Sequence, residues 1–232
     1  MRLTHSLLII TTFFLGSCKK DTLIPLSTSS ITVVNAAQEV PSVEINFADT
    51  MSPFYLYQTP ISYAAAKNFG ILSGTTPFVM VSSADTSRLL VQSNVNLAPG
   101  GIYSLYLLQG GPKPEYLLMQ DSVPVFSDTT AGVRFVNLSP DSKSFSINLA
   151  TNDASITEFN NISYKQATSF KSYKALAFRG AYSFEIRDQA SGDLLITCRW
   201  VYRRSNSSSL VICGSIDPNS STPLSVFQIN NF

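Results

Sequence analysis

The chain has 232 residues, with 16 basic and 15 acidic side chains and one histidine, His5. A balance so close to neutral supplies no overall field to draw in nucleic acid, and nothing in the composition calls for a cofactor. Hydrophobic residues make up 44% of the chain, ample for a core, while charged residues make up only 13%, so Ser, Thr, Asn and Gln must form much of the polar surface.

Arg2 is followed by an apolar run over residues 7–15, interrupted by Thr11 and Thr12, and then by Gly16, Ser17 and Cys18. The run is too short to span a bilayer, which takes roughly 20 apolar residues. Its parts are those of a secretory leader, and Leu15-Gly16-Ser17-Cys18 resembles the cleavage site of a bacterial lipoprotein signal. The resemblance implies removal of residues 1–17, lipidation of Cys18 and attachment to the membrane through that lipid. An ordinary secretory signal with a chance cysteine is the alternative. Residues 18–29, rich in Ser and Thr and without periodicity, read as a flexible tether. Lys19, where an aspartate would resemble an inner-membrane retention signal, favours the outer membrane. Lys19-Lys20-Asp21 partly matches a surface-export tag, so the periplasmic and cell-surface faces both stay open. His5 leaves with the leader, and a mature chain without imidazole cannot build a Ser-His-Asp, Cys-His or histidine-containing zinc site.

The rest of the chain repeats. Ile31-Thr32-Val33-Val34-Asn35 and Val43-Glu44-Ile45-Asn46-Phe47 return as Val133-Arg134-Phe135-Val136-Asn137 and Phe145-Ser146-Ile147-Asn148-Leu149. Ile61-Ser62-Tyr63, Ala66 and Phe69 return as Ile162-Ser163-Tyr164, Ala167 and Phe170, and Val125-Phe126 returns as Val226-Phe227. Matches in one order and nearly one register point to duplication, with units at 30–127 and 132–232 joined by a linker too short for independent tumbling. Within each unit the period is two. Leu194, Ile196, Cys198, Trp200 and Tyr202 alternate with Leu195, Thr197, Arg199, Val201 and Arg203, the pattern of a half-buried strand. Similar runs at 78–81, 88–91, 102–108, 116–119 and 182–186 are separated by Gly- and Pro-rich turns. The expected fold is all-β, two tandem immunoglobulin-like antiparallel β-sandwich domains after the signal peptide.

Ala131-Gly132-Val133-Arg134-Phe135-Val136-Asn137-Leu138-Ser139-Pro140-Asp141 resembles the opening motif of the secreted modules called domain of unknown function 4397. There an arginine-bearing strand leads into a Ser-Pro-Asp turn. Proline presets the turn and Ser139 hydrogen-bonds forward. The first repeat carries Ala37-Gln38-Glu39 in place of that turn. The resemblance implies an all-β chain, often tandem and often lipid-anchored, and offers no catalytic residues to carry over.

Cys198 and Cys213 lie symmetrically about Asn206. If their strands form a hairpin, the two sulfurs share a face and a cross-strand disulfide is expected in an oxidising compartment, against two buried thiols. Phe54, Tyr55, Tyr57 and Tyr116 are candidate sugar-stacking rings, with core packing as the competing role. The segment from Asp188 to Asp193 suggests calcium through oxygen ligands, or simply a hairpin loop. Gly70-Ile71-Leu72-Ser73-Gly74 has its serine one place late for a nucleophile elbow. Asp21-Thr22, Asp49-Thr50, Asp121-Ser122 and Asp128-Thr129 resemble sites of envelope O-glycosylation. Five glutamates, Glu39, Glu44, Glu115, Glu158 and Glu185, sit in no acid-base setting. The expectation is therefore a non-enzymatic envelope lipoprotein that binds, adheres to or supports another envelope or extracellular component, such as an envelope protein. The alternative is an accessory lipoprotein that binds an extracellular glycan.

Overall fold

The computed structural model describes residues 27–47, 59–109 and 111–231. The lipidation candidate Cys18 and the aromatic candidates Phe54, Tyr55 and Tyr57 lie outside the described residues. All described elements are strands. The first eight are β1 (Thr28–Asn35), β2 (Ser42–Asn46), β3 (Ile61–Ser62), β4 (Ala65–Leu72), β5 (Gly74–Ser82), β6 (Leu89–Leu97), β7 (Ile102–Gln109) and β8 (Pro114–Gln120). The next nine are β9 (Thr130–Asn137), β10 (Ser144–Leu149), β11 (Phe159–Ser163), β12 (Gln166–Ala167), β13 (Lys171–Lys174), β14 (Arg179–Asp188), β15 (Leu194–Arg203), β16 (Ser207–Cys213) and β17 (Ser225–Asn230).

These strands make four sheets whose orders repeat. Sheet β4-β1-β7-β8 has its counterpart in β12-β9-β16-β17, where β13 continues the edge begun by β12. Sheet β3-β2-β5-β6 has its counterpart in β11-β10-β14-β15. In both halves the first strand runs parallel to a late one, with Val34 opposite Tyr106 in β1–β7 and Val136 opposite Val211 in β9–β16. The remaining pairings are antiparallel.

The two inner sheets are buried on both faces, which explains why their strands read as continuous apolar runs. Ile31, Val33, Leu105 and Leu107 point to a first core shared with Val43, Ile45, Phe78 and Met80. Their neighbours Val34, Tyr106 and Leu108 point the other way, onto Val136, Val211 and Cys213. Val133, Phe135, Leu210 and Ile212 in turn face a third core with Phe145, Phe184, Ile186 and Trp200. The result is a stack of four sheets with three apolar layers between them. The middle layer joins the halves.

Two buried asparagines show how closely the halves correspond. Asn35 donates through Nδ2 to the carbonyls of Val40 and Ile61, and its Oδ1 accepts from the Ala37 amide. Asn137 donates to Ser142 Oγ and the Ile162 carbonyl and accepts from the Ser139 amide. Each asparagine satisfies backbone groups of the turn that follows its strand, where no water can reach. Ala64 and Lys165, with φ of 57° and 64°, hold the next tight turn, their amides bonding back to the carbonyls of Asn35 and Asn137.

Two of the sequence matches do not correspond in space. Ala65 opposes Asn35 and Phe69 opposes Ile31, whereas Gln166 opposes Asn137 and Lys171 opposes Val133. The second half therefore carries one extra residue between β12 and β13, and the place of Phe69 is taken by Lys171. Phe69 packs on Phe47 at the first core, while Phe170 stands over a guanidinium at the junction of the halves. Val226-Phe227 belongs to β17, but Val125-Phe126 lies in the segment linking β8 to β9.

Candidate binding site at the junction

The middle layer is apolar except at one end, where a polar cluster forms around Arg134. Ser104 and Ser209 hold equivalent places on β7 and β16, opposite Thr32 and Arg134. Ser104 Oγ donates to Asp121 Oδ2 at 2.6 Å, and Ser209 Oγ donates to Asn231 Oδ1 at 2.9 Å, the same device in each half. The equivalence breaks at Arg134. Its Nε donates to Ser209 Oγ at 2.8 Å, and its Nη2 meets Asp121 Oδ1 at 2.7 Å, with both side chains almost wholly buried. One arginine thus ties a strand of the second half to the chain leaving the first. Burial pushes the neighbouring Tyr106 hydroxyl up to about 12, opposed by the Arg134 charge, so it stays a neutral phenol.

Above this cluster the edges of the two inner sheets part to leave a cleft of about 610 Å³, walled by Met119, Gln120, Ser122, Thr168, Ser169 and Phe170. Arg134 forms its floor, with the guanidinium carbon 4.9 Å from the centre of the Phe170 ring. Asp121 already neutralises that charge. The cleft therefore offers hydroxyls, an amide and an aromatic ring, a lining suited to an uncharged polar ligand. The extra residue before Lys171 is what brings Phe170 here. Phe126 approaches from the side at 6.5 Å, its ring lying so close over Gly132 that a Cβ there would come within 2.0 Å. Sequence reasoning found Arg134 and Phe170 but assigned neither to a site. The register change between β12 and β13 was the missing signal.

The family described as "Domain of unknown function (DUF4397)" matches residues 29–148. The chain belongs to this DUF4397 family. No curated protein matches it. Among solved structures, the chain is similar to a family CBM26 carbohydrate-binding module from Eubacterium rectale, solved in complex with maltoheptaose. That likeness has a TM-score of 0.28 and 9% identity, over 88% of this chain and 97% of the other. A candidate adhesin from Bacteroides ovatus gives a TM-score of 0.20 and 9% identity, over 88% and 93% of the two chains.

The DUF4397 match spans the first half and continues through β9 and β10. It therefore includes the segment from Ala131 to Asp141, whose residues here are structural. Arg134 makes the buried ion pair. Ser139 Oγ donates forward to Asp141 Oδ1 at 3.0 Å, and the Asp141 carboxylate accepts from Ser215 Oγ and the Ile216 amide, fastening the loop after β16.

Other predicted site residues fall elsewhere. Tyr116 is no stacking platform: its ring meets Phe78 edge-on at 5.2 Å against the first core, and its hydroxyl is within 2.9 Å of Ser93 Oγ. Cys198 and Cys213 are both free, which overturns the disulfide. The expected hairpin does not form, because the chain crosses between sheets after β15. β15 pairs with β14 in an outer sheet, whereas β16 lies between β9 and β17 in an inner one. Cys198 consequently packs at the third core and Cys213 in the middle layer. Burial pushes the Cys198 thiol up to about 12 and raises that of Cys213, so both stay protonated at neutral pH. Thiol titration of the non-reduced protein in denaturant should find both of these cysteines reactive, and neither reactive if a bridge exists.

Asp188 Oδ1 accepts from the Ala190 and Ser191 amides and Gly192 has a φ of 77°, so that segment is a hairpin turn. Among the described residues no group of three or more His, Cys, Asp or Glu could hold a metal ion.

Proposed function

We propose that this chain is a non-enzymatic lipoprotein of the cell envelope, a binding or adhesion module whose recognition site is the junction cleft. In this reading residues 1–17 are removed and Cys18 is acylated. The anchor lies in the outer membrane, and residues 30–127 and 132–232 are two copies of one module. The observation that carries the reading is the cleft itself, walled by uncharged polar groups around an arginine whose charge Asp121 already cancels. Two glutamates elsewhere act as fasteners, which supports a structural role for them over catalysis. Glu158 holds Tyr173 and Lys171, and Glu185 holds Arg187 and Asn148.

A glycan is the favoured class of ligand, because hydroxyl and amide groups beside an aromatic face suit a sugar unit better than a charged peptide. The test is binding of the full chain to an array of envelope and host glycans, with Ser122→Trp as the companion variant. Ser122 is exposed on the cleft wall, so an indole there fills the cleft without disturbing either core. Loss of glycan binding in Ser122→Trp with an unchanged melting temperature is the expected result. Binding that ignores the indole overturns the site, and silence across the array removes the glycan in favour of a protein partner.

A further inference from the structure

Overall neutrality conceals a segregated surface. Strand directions place Thr28 and Thr130 at one end of the stack. The ion pair between Arg134 and Asp121 lies toward that end, and the contacts of Lys165 with Glu115 and of Tyr63 with Cys213 lie toward the other. Around the Thr28 and Thr130 end the chain makes its loops. Leu72 pairs with Thr28, the Ala175 amide bonds to Thr129, the Ser205 amide bonds to Thr130, and the Arg204 amide bonds to Phe178. Register sets Arg179 opposite Arg203.

Among the described residues, the three most exposed large apolar side chains all belong to this end: Val125 at 100%, Leu176 at 76% and Phe178 at 54%. Ile156 and Leu72 add to them. Interleaved with these are Lys174, Arg179, Arg203 and Arg204, none of which makes an ion pair within the described residues. The Arg203 guanidinium stands 5.1 Å from the Phe178 ring. Among the described residues, Asp128 and Asp153 are the exposed carboxylates at this end. Protruding apolar side chains ringed by guanidinium groups have the chemistry of a contact with an anionic lipid surface, the rings and aliphatic chains entering the headgroup layer while the cations meet phosphate.

The position of the N-terminal segment supplies the second observation. β1 begins at this same end, and only residues 19–27 separate Thr28 from Cys18. Even fully extended, that length reaches about 30 Å. An acylated Cys18 therefore favours this end, because β1 is eight residues long and presenting the opposite end would stretch the tether along nearly its full length. Tethering makes the second contact intramolecular, at an effective concentration of about millimolar, so a weak surface affinity suffices to orient the whole chain.

We infer that the end of the stack bearing Leu176, Phe178, Arg179, Arg203 and Arg204 docks on the surface of a bilayer containing anionic phospholipid. This rests on the lipoprotein reading above for its tether, though not for its chemistry. Docking holds the far end, with the loop after β16 and the hairpin from Asp188 to Asp193, directed away from the membrane.

The test reconstitutes the full chain in vesicles of phosphatidylethanolamine with phosphatidylglycerol, and separately in phosphatidylcholine. A fluorophore is placed at Leu176→Cys or, at the far end, at Ile216→Cys, and brominated acyl chains act as quencher. Quenching several-fold stronger at position 176 than at 216, and only with phosphatidylglycerol present, is the expected result. Arg204→Gln should lower the docked-to-undocked ratio about five-fold. Equal quenching at both positions, or indifference to phosphatidylglycerol, overturns the proposal. Radiolabelled palmitate on the same preparation reports the anchor independently. If no palmitate is incorporated the lipoprotein reading fails, and flotation of the unanchored chain decides instead. Flotation only with phosphatidylglycerol vesicles then supports docking, and its absence overturns it.

Discussion

Asp121→Asn should lower the unfolding free energy by about 3–5 kcal/mol, because it leaves the Arg134 guanidinium buried without a counter-charge. The substitution isolates charge from shape. Asn231 already holds the equivalent place in the other half and accepts from Ser209 as Asp121 accepts from Ser104. An asparagine at 121 therefore keeps the Ser104 bond and the local geometry. The attraction across the 2.7 Å contact is lost, and the amide nitrogen that replaces Oδ1 sets a donor against the guanidinium. Removing both charges is a different matter, since a buried ion pair is often no more stable than apolar residues of similar volume. Asp121→Asn combined with Arg134→Met should recover most of the lost stability. Urea unfolding of the two single variants and the double variant gives the coupling directly. Additive losses would mean that the pair does not tie the halves together.

That pair also marks the limit of what the sequence discloses. The alternating and continuous apolar runs were legible as strands, because period two and burial on both faces leave direct marks. The matching strand orders of the two halves were legible too, since Asn35 and Asn137 recur within matched runs for the same physical reason, the need to satisfy a following turn. Three things were not legible. A single added residue between β12 and β13 leaves no pattern, yet it exchanges Phe170 for Lys171 and creates the aromatic wall of the cleft. The crossing from β15 to β16 resembles a hairpin in sequence, because polar residues 203–208 suit either connection. The facing of the two inner sheets follows from both their surfaces being apolar, and such runs do not say which sheet lies beyond. Arg134 was visible as part of a motif, but its partner lies in the segment after β8, in a place only the stacked halves define.

Trp200→Ala should be comparably damaging, about 3–5 kcal/mol, seen as a fall in melting temperature of about 10 °C or more. Trp200 is fully buried in the third core. Its ring stacks on Tyr182 at 5.8 Å and 22°, with Tyr173 edge-on at 5.7 Å and Tyr202 tilted at 5.8 Å. The equivalent register place in the first half, opposite Thr76 as Trp200 is opposite Tyr182, holds only Val95. At this level the two outer cores are thus filled by different means, by the aliphatic Val95 in one and by a nested set of rings in the other. Removing the indole leaves a cavity lined by rings that cannot collapse, because Tyr173 is pinned through its hydroxyl to Glu158 and Tyr182 to the Lys174 carbonyl. Among the described residues the indole Nε1 has no hydrogen-bond partner, so Trp200→Phe loses volume but no bond and should cost well under half as much as the alanine. Both variants are read by thermal unfolding followed by circular dichroism. A phenylalanine as costly as the alanine would show that the ring nest needs the indole's shape and not merely its bulk. The aromatic core would then be as specific as the ion pair that holds the halves together.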